Sequence, residues 1–143
     1  MATKLVDIRE LIKDKITPFI AGDVFEYPNG PAGLNKYPSA VILPTGGTEG
    51  EVQDTGRNLR VWAFDIFVYQ EQTPSGKSKE AANDVMTTLI DNIVESFDKD
   101  NNLNFSVSRI RVVSMSFDYS GANGPYVIAT FKVECEVLVQ NYS

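Results

Sequence analysis

Hydrophobic and polar residues alternate most regularly along Leu59–Gln70, LRVWAFDIFVYQ. Successive side chains of a strand point to opposite faces. Trp62, Phe64, Ile66 and Val68 therefore share one side, and Val61, Ala63, Asp65, Phe67 and Tyr69 the other. The first side is wholly apolar and predicts a long central strand with a dry face. The second is mixed and too apolar for an open surface, so a helix or a partner is expected to cover part of it.

The other periodic stretches arrange themselves around this strand. Thr3–Ile16 repeats apolar residues at helical spacing through Leu5, Ile8, Leu11, Ile12 and Ile16. Thr3 is placed to cap that helix, Asp7 lies in its early turns, and Lys13 and Lys15 lie near its C-terminus, where positive charge suits the helix dipole. Pro18 ends it. Asp23–Tyr27 reads as a short strand, and PNGPAGLNKYP over Pro28–Pro38 as a connection rich in turn residues. SAVIL, Ser39–Leu43, is a short apolar strand closed by Pro44. A second helix is predicted over Ser78–Phe97, with Ser78 as its cap and an apolar stripe of Ala82, Val85, Met86, Leu89, Ile90, Ile93, Val94 and Phe97. Two alternating segments follow, Val107–Tyr119 and Tyr126–Val139, joined by the turn SGANGP. In the first, Ile110, Val112, Ser114 and Ser116 oppose Arg111, Val113, Met115 and Phe117. The order is α-β-β-β-α-β-β. It predicts one α+β domain over residues 1–143, a sandwich with a mainly antiparallel sheet and two helices packed on one side.

One stretch resists this scheme. Residues 44–58, PTGGTEGEVQDTGRN, hold four glycines and three acids but a single aliphatic residue, Val52. A long connection of this kind is functional or disordered. It reads as an extended, glycine-rich, acidic arm that orders against a partner. Glu49, Glu51, Asp54 and Arg57 are the groups expected to make the contacts, with Val52 as apolar anchor. Phe67 and Tyr69, on the mixed face of the central strand, are the other candidate interaction residues.

Composition narrows the chemistry. The chain has no histidine, which removes the commonest general base and metal ligand. A single cysteine, Cys135, leaves neither an internal disulfide nor a cysteine-based zinc site, and its place in the apolar run Val133–Val139 reads as a buried strand residue. A net charge of −6 argues against a protein that grips phosphates. No apolar run reaches the roughly 20 residues that span a bilayer, and the N-terminus has no signal-peptide pattern.

Three local motifs bear on chemistry. Gly76-Lys77-Ser78 matches the tail of a phosphate-binding loop, but the required first glycine is Glu71, an acid that repels phosphate. Asp98-Lys99-Asp100-Asn101-Asn102 begins like a calcium loop, yet the positions needing Gly and Glu hold Leu103 and Arg109. A helix-ending turn is the simpler reading. Glu134 and Glu136 project from one strand face beside Lys132. Carboxylate pairs can perform acid–base chemistry, but a charged outer face is the default for a half-buried sheet. The functional alternative is an acidic surface turned towards a partner or a channel. No catalytic residue, cofactor site or metal site is expected.

The arrangement as a whole resembles the tail-terminator family of long-tailed bacteriophages, small neck (tail-completion) proteins. The likeness runs through TKLVDIRELIKDKI, SAVIL, the glycine-rich arm, RVWAFDIFVYQ, SKEAANDVMTTLIDNIVESF, RIRVVSMSFDY and YVIATFKVECEVLV, nearly the whole chain. The resemblance implies a structural virion protein and not an enzyme. Family members form hexameric rings that cap the tail tube, stop its growth and receive the head-side connector. It implies as partners further copies of the chain, the tail tube protein and the head-side stopper. DNA would pass through without specific binding, there would be no membrane contact, and assembly would take place in the host cytoplasm. Competing readings are another ring of the particle, such as a head-closure or baseplate adaptor, a monomeric small-ligand-binding domain, and an enzyme using carboxylates.

Overall fold

In the computed structural model, which describes residues 4–28, 36–54, 57–71, 76–103, 107–118 and 126–140, helix α1 (Leu5–Ile16) leads through a 3-10 turn (Thr17–Phe19) to a two-residue strand β1 (Val24–Phe25). Strands β2 (Ser39–Asp54) and β3 (Arg57–Glu71), helix α2 (Gly76–Lys99) and strands β4 (Arg109–Asp118) and β5 (Tyr126–Gln140) follow. The strands form one sheet in the order β1-β2-β3-β5-β4. Only the β1–β2 pair is parallel. The fold is α+β with the element order read from the sequence.

Both helices pack on one face of this sheet. Ile8, Ile12 and Ile16 of α1 are fully buried, four residues apart, so they stack on one side of the helix. From α2 come Ala82, Met86, Leu89, Ile90, Ile93 and Phe97. They meet Ala40, Ile42, Phe64, Ile66, Val68, Phe131, Val133 and Cys135 of the sheet. Each large apolar side chain buried this way contributes about 1.5–3 kcal/mol. Val85 departs from the expected stripe: it is exposed, on the side of α2 that faces the 3-10 turn. The helix also opens two residues before Ser78, which therefore sits inside the first turn and does not cap it. The residue before α1 is Lys4, with no side-chain cap; Thr3 lies outside the described residues. Pro18 does not stop the chain abruptly. It sits at the start of the 3-10 turn, where its missing N–H costs nothing, and the Thr17 hydroxyl donates to the Lys13 carbonyl at 2.6 Å.

The mixed face of the central strand is covered in part, and not by a helix. Val41 and Tyr69 are buried there, with Phe25, Tyr37, Leu43, Phe67 and Ile128 packed around them. The segment carrying β1 and Tyr37 forms this lid. It is held by Ser39, whose buried hydroxyl accepts the Asp23 N–H at 2.9 Å and donates to the Lys36 carbonyl at 2.7 Å. Gly22 is required beside it, because a Cβ would lie 2.7 Å from the Pro38 carbonyl oxygen.

Two expectations are corrected. Strand β2 does not close at Pro44 but runs to Asp54, paired with β3 along its length. Irregularities between Pro44 and Gly46, Glu49 and Val52, and Val52 and Asp54 absorb the residues that fit a regular ladder badly. The glycine at position 46 takes a positive φ of 155°, and Gly47 lies opposite Trp62, whose ring a Cβ would approach to 2.5 Å. The glycines thus serve the bulge and make room for the indole. The stretch expected to need a partner for order is paired within this chain; residues 55–56 lie outside the described part. In β4, a register shift between Val112 and Ser114 places Met115 opposite Phe131 and Phe117 opposite Ala129. Both therefore join the helix-side face, the reverse of strict alternation, and both remain exposed at the sheet edge.

Candidate interaction surface

Strand registers divide the candidate residues into two groups. The row Arg109–Glu136–Val61–Thr48 crosses four strands. Since β4 begins at Arg109, only β2, β3 and β5 continue past that row, to Asp54, Arg57 and Gln140. They form a three-stranded tongue. Glu49 lies opposite Arg60, Val52 opposite Asn58 and Asp54 opposite Arg57. Glu51 falls in the irregular step between Glu49 and Val52, with no in-register partner. The structure brings all five arm candidates onto this tongue and sets two acids against two arginines. Arg60 also lies over the Trp62 ring, 5.7 Å from its centroid.

Phe67 and Tyr69 belong elsewhere. Ten residues of strand separate Arg57 from Phe67, about 33 Å at ~3.3 Å per residue. Both aromatic residues pack in the small cluster under β1, and burial pushes the Tyr69 hydroxyl upward from its ordinary pKa. They do not share a site with the arm residues.

Glu134 and Glu136 do lie on the face away from the helices, as alternation predicts. The structure adds their neighbours: Arg111 opposite Glu134 and Arg109 opposite Glu136. Arg111 Nη2 is 3.4 Å from Glu134 Oε1, at a solvent-exposed position. The pair of carboxylates is thus flanked by cations instead of forming an acidic patch. Arg109, Arg111 and Lys132 are exposed on this face while Glu134 and Glu136 are half-buried between them. This row of alternating charges, to which Asp65 opposite Lys132 adds a third acid, is not evident from the sequence alone. Its signal was the i, i+2 spacing of Arg109 and Arg111 and the parity of Lys132 with the two glutamates.

The remaining chemistry is structural. Asp100, the second acid of the stretch that begins like a calcium loop, receives Lys15 Nζ at 2.8 Å and ties the ends of the two helices together. Among the described residues no group of three or more His, Cys, Asp or Glu could hold a metal ion, and no helix is long and apolar enough to cross a membrane. Cys135 is fully buried, and burial, then Glu136, pushes its thiol up to about 12. The side chains of Lys77 and Ser78 lie outside the described part. An open groove of about 590 Å³ runs between the 3-10 turn and α2, lined by Pro18, Phe19, Pro38, Val85 and Leu89, with Asp84 and Asn92 among its few polar groups.

Glu26 carries a pH-dependent contact. Arg9 Nε lies 3.7 Å from its carboxylate. Burial first, and then Glu10 beside it, raise its pKa above the ordinary 4.5, against the pull of Arg9 and Lys13. A raised pKa means that the folded state holds the proton more tightly than the unfolded one. The contribution is therefore fully present below pH 4.5 and is lost as pH rises through the folded value. Glu26→Gln is expected to melt above the wild type at pH 7, and the difference should shrink as pH falls towards 4. Parallel melting curves of the two proteins across that range would contradict this.

No family model matches the sequence, and no curated protein does. Solved structures do. The sheath/tube terminator of an extracellular contractile injection system (PVC), seen in its extended state, matches with a TM-score of 0.60 and 9% identity. The match covers 100% of this chain and 58% of that one, so the chain spans little more than half the terminator's length. A chain in the virion of a native gene transfer agent particle matches with a TM-score of 0.40 and 8% identity, over 89% of this chain and 84% of that one. The first likeness shows a shared fold.

Proposed function

We propose that this protein is a ring-forming structural component of a phage-like particle, acting as its tail terminator. Copies of the chain, six on this reading, close into a ring on the end of the tail tube and end its polymerisation. The ring then receives the head-side connector and leaves a central passage for DNA. The observation that carries the reading is that the whole chain takes the fold of a protein described as a sheath/tube terminator. Two features support it. The tongue continues past the start of β4 and leaves a long edge of β2 open for lateral contact. A net charge of −6 suits a passage that DNA crosses without sticking. The protein would reside in the particle, assembled in the host cytoplasm, with no catalytic role.

Deleting the gene in a strain that makes the particle tests this. Tails of uncontrolled length, unjoined to heads, are expected. Normal-length tails beside leaking heads would identify a head-closure ring instead. Normal, joined and filled particles would overturn the reading.

A further inference from the structure

We propose that residues 21–28 and 36–38 form a releasable lid, pinned by Ser39, that lifts off the sheet while both helices and the long strands stay folded. This is a property of the single chain and does not depend on the ring reading.

Burial sets the bounds of the unit. Ile20 before it and Ser39 after it are buried, but no described residue between them is. β1 is two residues long and pairs with β2 at Ala40 and Val41 alone. The strand it lies against is of another kind: Ala40, Val41 and Ile42 are at most 1% exposed. A segment that buries little apolar surface opens at a lower free energy than the core it covers.

The polar ties converge on one side chain. The Ser39 hydroxyl accepts the Asp23 N–H and donates to the Lys36 carbonyl, so it holds both limbs of the lid. Beside it the Gly22 N–H donates to the Pro38 carbonyl at 2.8 Å, and the Ala40 N–H to the Asp23 carbonyl at 2.9 Å. Farther along, the ties loosen. Glu26 meets Arg9 of α1 at 3.7 Å. Among the described residues neither Arg9 Nε nor Glu26 Oε1 has a hydrogen-bond partner, although both atoms are shielded from water. Shielded polar atoms without partners raise the free energy of the closed position. Phe25 and Tyr37 close over Val41 and Tyr69, and Tyr37 lies against the Tyr126 ring with 5.7 Å between centroids. Lifting the lid therefore uncovers the Val41–Tyr69 patch and extends the open edge of β2 back towards Ser39.

Amide hydrogen exchange of the full chain, followed by NMR, tests this. In the wild type the Gly22 and Ala40 N–H groups are expected to exchange at least about a hundredfold faster than those of Ile66 and Phe131 on the inner strands. Ile93→Val trims the core at a fully buried position of α2. It should speed Ile66 and Phe131 about two- to tenfold and leave Gly22 and Ala40 unchanged, because opening the lid keeps that core intact. Ser39→Ala removes the pin and should speed Gly22 and Ala40 about tenfold or more. Gly22→Ala, whose Cβ would crowd the Pro38 carbonyl oxygen, should speed Ala40 likewise. The wild-type and Ile93→Val measurements need neither lid variant to fold. If Gly22 and Ala40 accelerate together with Ile66 and Phe131 in Ile93→Val, the lid opens only when the whole domain unfolds, and the proposal is overturned. Local opening that Ser39→Ala leaves unchanged would overturn the assignment of Ser39 as the pin.

Discussion

Phe64→Ala is expected to destabilise the fold by about 3–5 kcal/mol. Phe64 sits on β3, the middle strand of the sheet, and is fully buried in a core cluster that draws on both helices and four strands. Removing the ring forfeits its transfer free energy and leaves a cavity walled by Pro44 on one side and Val133 on the other, its cross-strand neighbours. Paired strands on both sides keep that cavity from collapsing. A domain of this size has a total stability of about 5–15 kcal/mol, so the variant should retain a fraction of it and melt roughly 10–20 °C lower. Chemical denaturation would measure the cost directly. A loss below about 1 kcal/mol would show that Phe64 is not at the centre of the core.

Leu89→Ala is expected to cost about 2–5 kcal/mol. Leu89 is 6% exposed, packed on the sheet-side core while its outer edge lines the groove beside the 3-10 turn. It tests how α2 is rotated as well as whether it packs. The adjacent Thr88 also borders the groove but is exposed, so Thr88→Ala should change stability by less than about 0.5 kcal/mol. Equal effects at the two positions would mean that the helix presents a different stripe to the sheet.

The elements with a strong single period were legible in the sequence. α1, α2, β3 and β5 lie within two residues of their expected bounds, apart from the edges of capping. Period alone places Phe64, Ile66 and Val68 under the helices and Glu134 and Glu136 away from them. What was not legible depended on partners distant in sequence. Pro44 and four glycines argue locally for a loop, and the strand there exists because β3 supplies the opposite ladder and Trp62 a ring that only glycine accommodates. The register shift after Val112 is invisible to alternation because any residue of β4 could have been the extra one. The lid over Tyr69 comes from Phe25 and Tyr37, short segments with no periodic signal of their own. At the interaction surface, the arm's acids were legible as a composition, whereas the facing arginines and the level of Arg109 with Thr48 emerge only from the registers.

The registers leave a long edge of β2 open beyond β1 and carry three strands past the start of β4. On the proposed function, copies of the chain close into a ring. The most direct measurement is the mass of the purified protein across concentration by native mass spectrometry, with electron microscopy of the same sample. A closed assembly of six copies around a central opening, whose population grows with concentration, is expected. A strict monomer throughout the range, or an open filament with no closed rings, would contradict it.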